Sequence, residues 1–290
     1  MALEKQSPCK VNLLLNILGR RADGFHDLET VFHPIAVYDR LTFARGGQGI
    51  QLRCSDPALP TDGRNLVHRA AARFLEEARI TDGVQLDLEK RIPMAAGLGG
   101  GSGNAATTLL GLNELFGAPL TPEQLWRLAV SLGSDVAFFL QAKPALATGR
   151  GEHLQPLEPF PALRGTAFML IYPGFGISTA WAYKELARFP KAQNGEPGRA
   201  QRLVELLQAA DPAPAGAALY NSLEAPALEK YPLLELFQEF LRANGAIAAL
   251  MSGSGSTTFA LVRGLDQAGA LAEKFKAKFG ASNWVTVVPA

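Results

Sequence analysis

Pro93-Met94-Ala95-Ala96-Gly97-Leu98-Gly99-Gly100-Gly101-Ser102-Gly103-Asn104-Ala105-Ala106-Thr107-Thr108 carries five glycines within seven residues. Such a stretch gives up side chains so that a ligand can approach the backbone closely. Upstream, Val84 to Leu88 alternates apolar and polar residues as a strand does. Downstream, Leu109, Leu112, Leu115 and Phe116 recur at helical spacing, and Gly117 is placed to stop the helix. The reading is strand, glycine-rich loop, helix start. Exposed N–H groups and the helix dipole make that arrangement an anion site, most simply for phosphate.

Two phosphate-binding patterns are tested against these residues. A Walker A loop ends in Gly-Lys-Ser/Thr, and Gly103-Asn104-Ala105 has no lysine. Gly101 to Ala106 does fit G-x-G-x-x-A, the dinucleotide fingerprint. Its context is poor: Pro93 separates the loop from the strand, and the acid at the right distance, Glu123, sits in a helix-start signal. A purely structural glycine turn is the plain alternative, but a turn does not need so many glycines.

The chain has 290 residues, 48% apolar and 19% charged, with a formal charge of +1. That length suits two packed lobes. Nothing in the charge balance suggests a nucleic-acid partner. Cys9 and Cys54 have no pair spacing, which fits a reducing compartment and gives no zinc site. No stretch resembles a signal peptide or reaches the roughly 20 apolar residues that span a bilayer. A cytoplasmic protein without a membrane partner is expected.

Lys10 to Leu18 reads as a strand with Lys10, Asn12 and Asn16 on one face and Val11, Leu13, Leu15 and Ile17 on the other. The polar face looks either into a cleft or, as an edge strand, into solvent. Gly19 to Asp27 is a polar loop in which Phe25 and His26 could stack on and hydrogen-bond a planar ligand, or simply pack. Residues 31–36 and 40–44 are predicted as two strands. Asn65 is an N-cap for a helix with Val67, Ala70, Ala71 and Phe74 on one face. Thr121-Pro122-Glu123-Gln124 is a helix start with a capping box. Asp135 heads an apolar run, as an N-cap or as a functional carboxylate at the edge of the core.

The Pro-rich segment 156–161 is the best domain boundary. Beyond it, residues 168–172, 246–251, 257–262 and 284–288 are predicted strands and 199–210, 233–243 and 266–279 helices, an α+β mixture. A further helix begins near Thr179 and contains Tyr183 and Lys184. Ser252-Gly253-Ser254-Gly255-Ser256 joins two strands, as a flexible hairpin or a second phosphate-compatible loop.

Pro8-Cys9-Lys10-Val11-Asn12-Leu13, Pro93 to Ala106 and Met251 to Ser256, in that order, resemble the three motifs of the GHMP kinases, named for galactokinase, homoserine kinase, mevalonate kinase and phosphomevalonate kinase. Gly19 to Thr30 and Gly133 to Phe139 resemble the branch whose acceptor is a cytidine-diphosphate-linked methylerythritol. The resemblance is weakest between residues 185 and 219. It implies two lobes: an N-terminal ATP-binding α/β lobe over 1–155 and a C-terminal ferredoxin-like α+β lobe over 156–290. It implies transfer of the γ-phosphate of ATP to the 2-hydroxyl of that small molecule, in the non-mevalonate route to isoprenoids, by a monomer or weak homodimer.

The same resemblance assigns residues. Pro93, Met94, Ala95, Ala96, Gly97, Leu98, Gly99, Gly100, Gly101, Ser102, Gly103 and Asn104 would hold the nucleotide, with Asn65 and Met94 near adenine. Ser102 would face the phosphates and Mg2+. Asp135 would be the base and Lys10 its partner. Asn12, Phe25, His26, Tyr183 and Lys184 would meet the acceptor, and Lys143 a phosphate. Phe25 stands where Tyr is commoner, which keeps the stacking face without a hydroxyl. A tertiary alcohol is a crowded nucleophile, so its phosphorylation needs positioning and charge neutralisation. A related kinase with another small alcohol, or an inactive nucleotide-binding sensor on the same fold, are the alternatives; retention of Lys10 and Asp135 speaks against the sensor.

Overall fold

The structure is a computed structural model that describes residues 2–141 and 143–290. In chain order the strands and helices are β1 (Leu3–Arg20), β2 (His26–Arg45), β3 (Ile50–Cys54), α1 (Leu66–Glu77), β4 (Val84–Glu89), α2 (Gly100–Leu115), α3 (Pro122–Leu132), α4 (Ser134–Phe139), β5 (Ala145–Gly149) and β6 (His153–Pro156). There follow β7 (Thr166–Tyr172), α5 (Thr179–Glu185), α6 (Pro190–Gln193), α7 (Arg199–Gln208), α8 (Pro212–Ala217), β8 (Tyr220–Asn221), α9 (Glu224–Lys230), α10 (Pro232–Ala243), β9 (Ala248–Met251), β10 (Thr258–Arg263), α11 (Leu265–Phe279) and β11 (Trp284–Pro289).

Two compact units interleave along the sequence. One comprises Met1–Cys9, Val37–Pro93 and Gly99–Ala142, the other Lys10–Ala36, Met94–Leu98 and Lys143–Ala290. These units differ from a single division at residue 155. The reason is the length of β1 and β2, 18 and 20 residues, which at about 3.3 Å per residue run to roughly 60 Å. Each strand therefore contributes one end to each unit.

In the first unit β4 lies between β3, paired in parallel, and the Arg40–Arg45 end of β2, paired antiparallel. Helices cover this sheet. A Cβ on Gly111 would come within 2.6 Å of the Phe43 ring, so α2 lies directly on β2. The capping box at Thr121 and the Asn65 cap form as expected. The predicted break between residues 36 and 40 does not occur. Asp39, in the gap between the two predicted strands, is fully buried and paired, and β2 continues through it.

In the second unit β7, β9, β10 and β11 form a four-stranded antiparallel sheet in the order β11-β7-β10-β9. With α10 before β9 and α11 between β10 and β11, this is the ferredoxin-like arrangement. Met169, Ile171, Ala260 and Val262 of the sheet share a core with Phe237 and Leu241 of α10 and Leu271 and Phe275 of α11. The same unit pairs Leu28–Phe32 of β2 with β5, and Leu14 and Leu15 of β1 with β8.

Candidate active site

In the second unit, residues of all three motifs meet. Lys10 is 3% exposed, and its ammonium donates to Asn12 Oδ1 at 2.6 Å and to the Gly97 carbonyl at 3.0 Å. A buried ammonium needs such acceptors, because desolvation would otherwise drive it neutral or outward. The Asn12 amide in turn donates to Thr30 Oγ1 at 2.8 Å, and Thr30 donates to the Leu14 carbonyl. Ser252 Oγ donates to the Gly97 carbonyl at 3.0 Å and accepts from the Asn12 backbone N–H at 3.3 Å. The backbone of 96–98 is fixed from both sides, since Ala96 accepts from Thr257 N and Leu98 from Lys10 N. Lys10 and Asn12 thus face a polar buried array and not solvent.

Glycine is required at the centre of this array. Gly97 has φ +77°, and a Cβ there would lie 2.0 Å from the Ser252 carbonyl oxygen. The loop 252–256 is itself buried rather than an exposed hairpin. Asn221 anchors it by donating to the carbonyls of Met251 and Gly253 at 2.7 and 2.8 Å.

In the first unit, Gly99 (φ +68°) precedes α2, so Gly100, Gly101 and Ser102 present the N-terminal backbone groups of a 16-residue helix. This is the anion-favouring end. Ser102 is half-buried in that turn. Gly103 is needed for another reason: a Cβ there would come within 2.4 Å of the Pro8 carbonyl oxygen. The side chain of Asn104, a residue expected at the nucleotide, is engaged within the protein. It is 2% exposed; its amide donates to Ser7 Oγ and Asp39 Oδ2, both at 2.9 Å, and its oxygen accepts from Lys90. Asp39 pairs with Lys90 and accepts from the backbone of Arg91 and Ile92 at 2.7 and 2.9 Å. This cluster fixes the end of β4 to the first turns of α2. Asn65 is likewise committed, accepting from Val67 N and donating to the Pro60 carbonyl.

Asp135 lies half-buried in the first turn of α4. Gly133 is the N-cap of that helix, so the capping role weighed for Asp135 is not the one it plays.

The loop between β1 and β2 belongs to the second unit. Arg21 bonds both Asp23 and Asp27, and Asp23 accepts from Phe25 N at 3.1 Å. Phe25 is 56% exposed. His26 and Tyr183 come together, ring centroids 5.1 Å apart. The His26 Nε2 is buried without a hydrogen-bond partner, and burial, helped by the charge of Arg20, lowers its pKa. Lys184 and Lys143 are exposed. Glu29, which no sequence motif marks, is buried and accepts from Asn16 and from the N–H groups of Gly198 and Ala200 at the start of α7. Among the described residues no cluster of three or more His, Cys, Asp or Glu side chains is grouped to hold a metal, and no helix is long and apolar enough to cross a membrane.

One unit holds a buried lysine beside a glycine loop, and the other holds the glycine-rich N-terminus of α2 and, in α4, Asp135. Residues 65–143 match the GHMP kinases N terminal domain and residues 203–281 the GHMP kinases C terminal domain. The chain belongs to the GHMP kinases, a family of ATP-using enzymes with small-molecule substrates. Among its relatives are the 4-diphosphocytidyl-2-C-methyl-D-erythritol kinases of Syntrophotalea carbinolica, 38% identical over 94% of both chains, and of Moorella thermoacetica, 44% identical over 86% of both. The crystal structure of a 4-(cytidine 5'-diphospho)-2C-methyl-D-erythritol kinase superposes with a TM-score of 0.79 at 36% identity, covering 99% of this chain and 100% of that one. A homoserine kinase from Cytophaga hutchinsonii, 21% identical, shares the fold with a TM-score of 0.76, covering 99% of this chain and 93% of its own.

Proposed function

We propose that the protein phosphorylates the 2-hydroxyl of 4-diphosphocytidyl-2-C-methyl-D-erythritol with ATP, giving the 2-phosphate and ADP. The observation that carries the reading is the array of Lys10, Asn12, Gly97 and Ser252, in a chain whose relatives of that name align over most of its length. The backbone of 97–103 and the start of α2 bind the nucleotide phosphates. Met94 and Asn65 lie on the adenine side, Asn65 through its placement of the backbone at the start of α1.

Asp135 orients the acceptor hydroxyl and takes its proton. Lys10 offsets charge on the transferred phosphoryl group. Asn12 holds the Lys10 ammonium and the acceptor, with Thr30 fixing its amide. Phe25 stacks on the cytosine, His26 hydrogen-bonds it, and Tyr183 and Lys184 complete that side. The lowered pKa keeps the His26 imidazole neutral near pH 7, so it can donate from one nitrogen and accept at the other.

A hard divalent cation that keeps water and phosphate oxygens as its main ligands needs few protein groups. The half-buried Ser102 hydroxyl in the first turn of α2 is a hard oxygen ligand of the kind such an ion takes, and would hold Mg2+ in that way. Bound there, Mg2+ supplies charge neutralisation at the phosphates.

The test is ATP consumption by the purified protein with this acceptor, against mevalonate and homoserine. Turnover with the cytidylyl acceptor alone is the expected result. Turnover with a control alone would keep the phosphoryl-transfer residues and discard the roles of Phe25, His26 and Tyr183.

A further inference from the structure

We infer that Arg150 is a positioning residue for Phe25: it covers one face of the ring and leaves the other to the pyrimidine of the acceptor. The inference rests on the assignment of Phe25 to the cytidylyl group made above.

The backbone of Phe25 is fixed while its side chain stands in the open. Phe25 N donates to Asp23, and its carbonyl accepts from Arg21 N at 2.8 Å, yet the residue is 56% exposed. A ring so exposed loses rotamer freedom when a base stacks on it, unless something orients it beforehand. Phe25 has no hydroxyl, so only contact with its face or edge can do this. The Arg150 guanidinium lies 4.8 Å from the ring centroid. A planar, weakly hydrated cation is the side chain best suited to stack on an aromatic face while remaining at the surface.

The position of Arg150 is itself built. It sits in the turn between β5 and β6, with Gly149 at φ +72° and Gly151 at φ +101°. The backbone N–H of Arg150 donates to Glu152, and its Nε lies 3.5 Å from Glu152 Oε1. Gly149 pairs with Leu28, three residues after Phe25, so the sheet register brings this turn beside the Phe25 loop. A Cβ at Gly149 would crowd Glu152 and His153 at 2.9 and 2.8 Å, which ties the turn to the carboxylate that holds Arg150.

The experiment is a double-mutant cycle on the steady-state kinetics: wild type, R150M, F25A and R150M/F25A, with R150K as the conservative variant. R150M is expected to raise the KM for the cytidylyl acceptor about fivefold, the effect of an exposed cation–π contact, with kcat and the KM for ATP unchanged. R150K recovers part of the loss. In the F25A background R150M adds nothing, because the ring it held is gone. An unchanged acceptor KM in R150M, or equal effects of R150M with and without Phe25, would overturn the inference while leaving the Phe25 assignment intact. An unchanged acceptor KM in F25A would remove that assignment and the inference with it.

Discussion

Residues 94–98 and residues 20–27 are both short glycine-containing loops of the same unit, and they are fixed by opposite means. In the first, the carbonyls of Ala96, Gly97 and Leu98 accept from Thr257, Lys10 and Ser252, all three of them buried. In the second, Arg21 bridges Asp23 and Asp27 where the side chains are 36–49% exposed. Hydrogen bonds in a desolvated array are strong and unscreened, and they tolerate no misfit. Exposed ion pairs are weak and screened by salt. The 94–98 loop, proposed for the phosphates, is therefore held by packing, and the 20–27 loop, proposed for the acceptor, by charges that can change at little cost to the fold.

The largest test of this contrast is Gly97→Ala. The new residue would have to hold φ +77° with its Cβ 2.0 Å from a carbonyl oxygen. Backbone strain and overlap together should lower stability by about 4 kcal/mol or more, read from urea unfolding. A loss below about 1 kcal/mol would mean that the loop rebuilds easily and that its rigidity is overstated.

Asp135→Ala should act on chemistry alone. We expect kcat to fall by about 10²–10⁴-fold, the usual worth of a general base, with nucleotide affinity unchanged in a binding titration. A variant that retains turnover would take Asp135 out of the reaction.

Two histidines carry the same contrast into pH. His33 is buried against the Phe160 and Phe168 rings, and burial pushes its pKa down to about 4. The unfolded value is about 6.5. Between these two, the unfolded chain binds a proton that the folded chain refuses, so stability falls as pH drops through 6.5 and the loss is complete near 4. The 2.5-unit difference corresponds to about 3 kcal/mol. Urea midpoints at pH 7 and 4.5 should diverge less in His33→Leu than in the wild type. Equal divergence would assign the acid sensitivity elsewhere. His26 is only partly buried, so its proton should matter to acceptor binding more than to stability.

What the sequence made legible follows the same division. The Asn65 cap and the capping box at Thr121 are local signals and form as expected, and the glycine stretch does lead into a helix, α2, which begins within it at Gly100. The role of Asp39 is not legible, because nothing in the local sequence announces its partners, Lys90, Asn104 and two backbone N–H groups. Asn104 lies within a motif and so reads as a ligand contact; that its side chain also bonds Ser7, Asp39 and Lys90 is not visible from the motif. The interleaving of the units was hidden for a similar reason. It depends on β1 and β2 running on past the points where composition suggests they end.

The smallest expected effect falls on the exposed loop. Arg21→Gln removes the bridge between Asp23 and Asp27 and leaves the backbone bonds Arg21 N to Phe25 O and Phe25 N to Asp23 to hold the turn. Because the lost pairs are exposed, the urea midpoint should not move. The acceptor KM should rise by about twofold, as for a surface ion pair. Added salt screens the same pairs in the wild type, so the gap between the wild-type and variant acceptor KM should narrow as salt is added. A clear loss of stability in Arg21→Gln would show that this loop, like 94–98, is part of the packed structure, and the contrast between the two loops would fail.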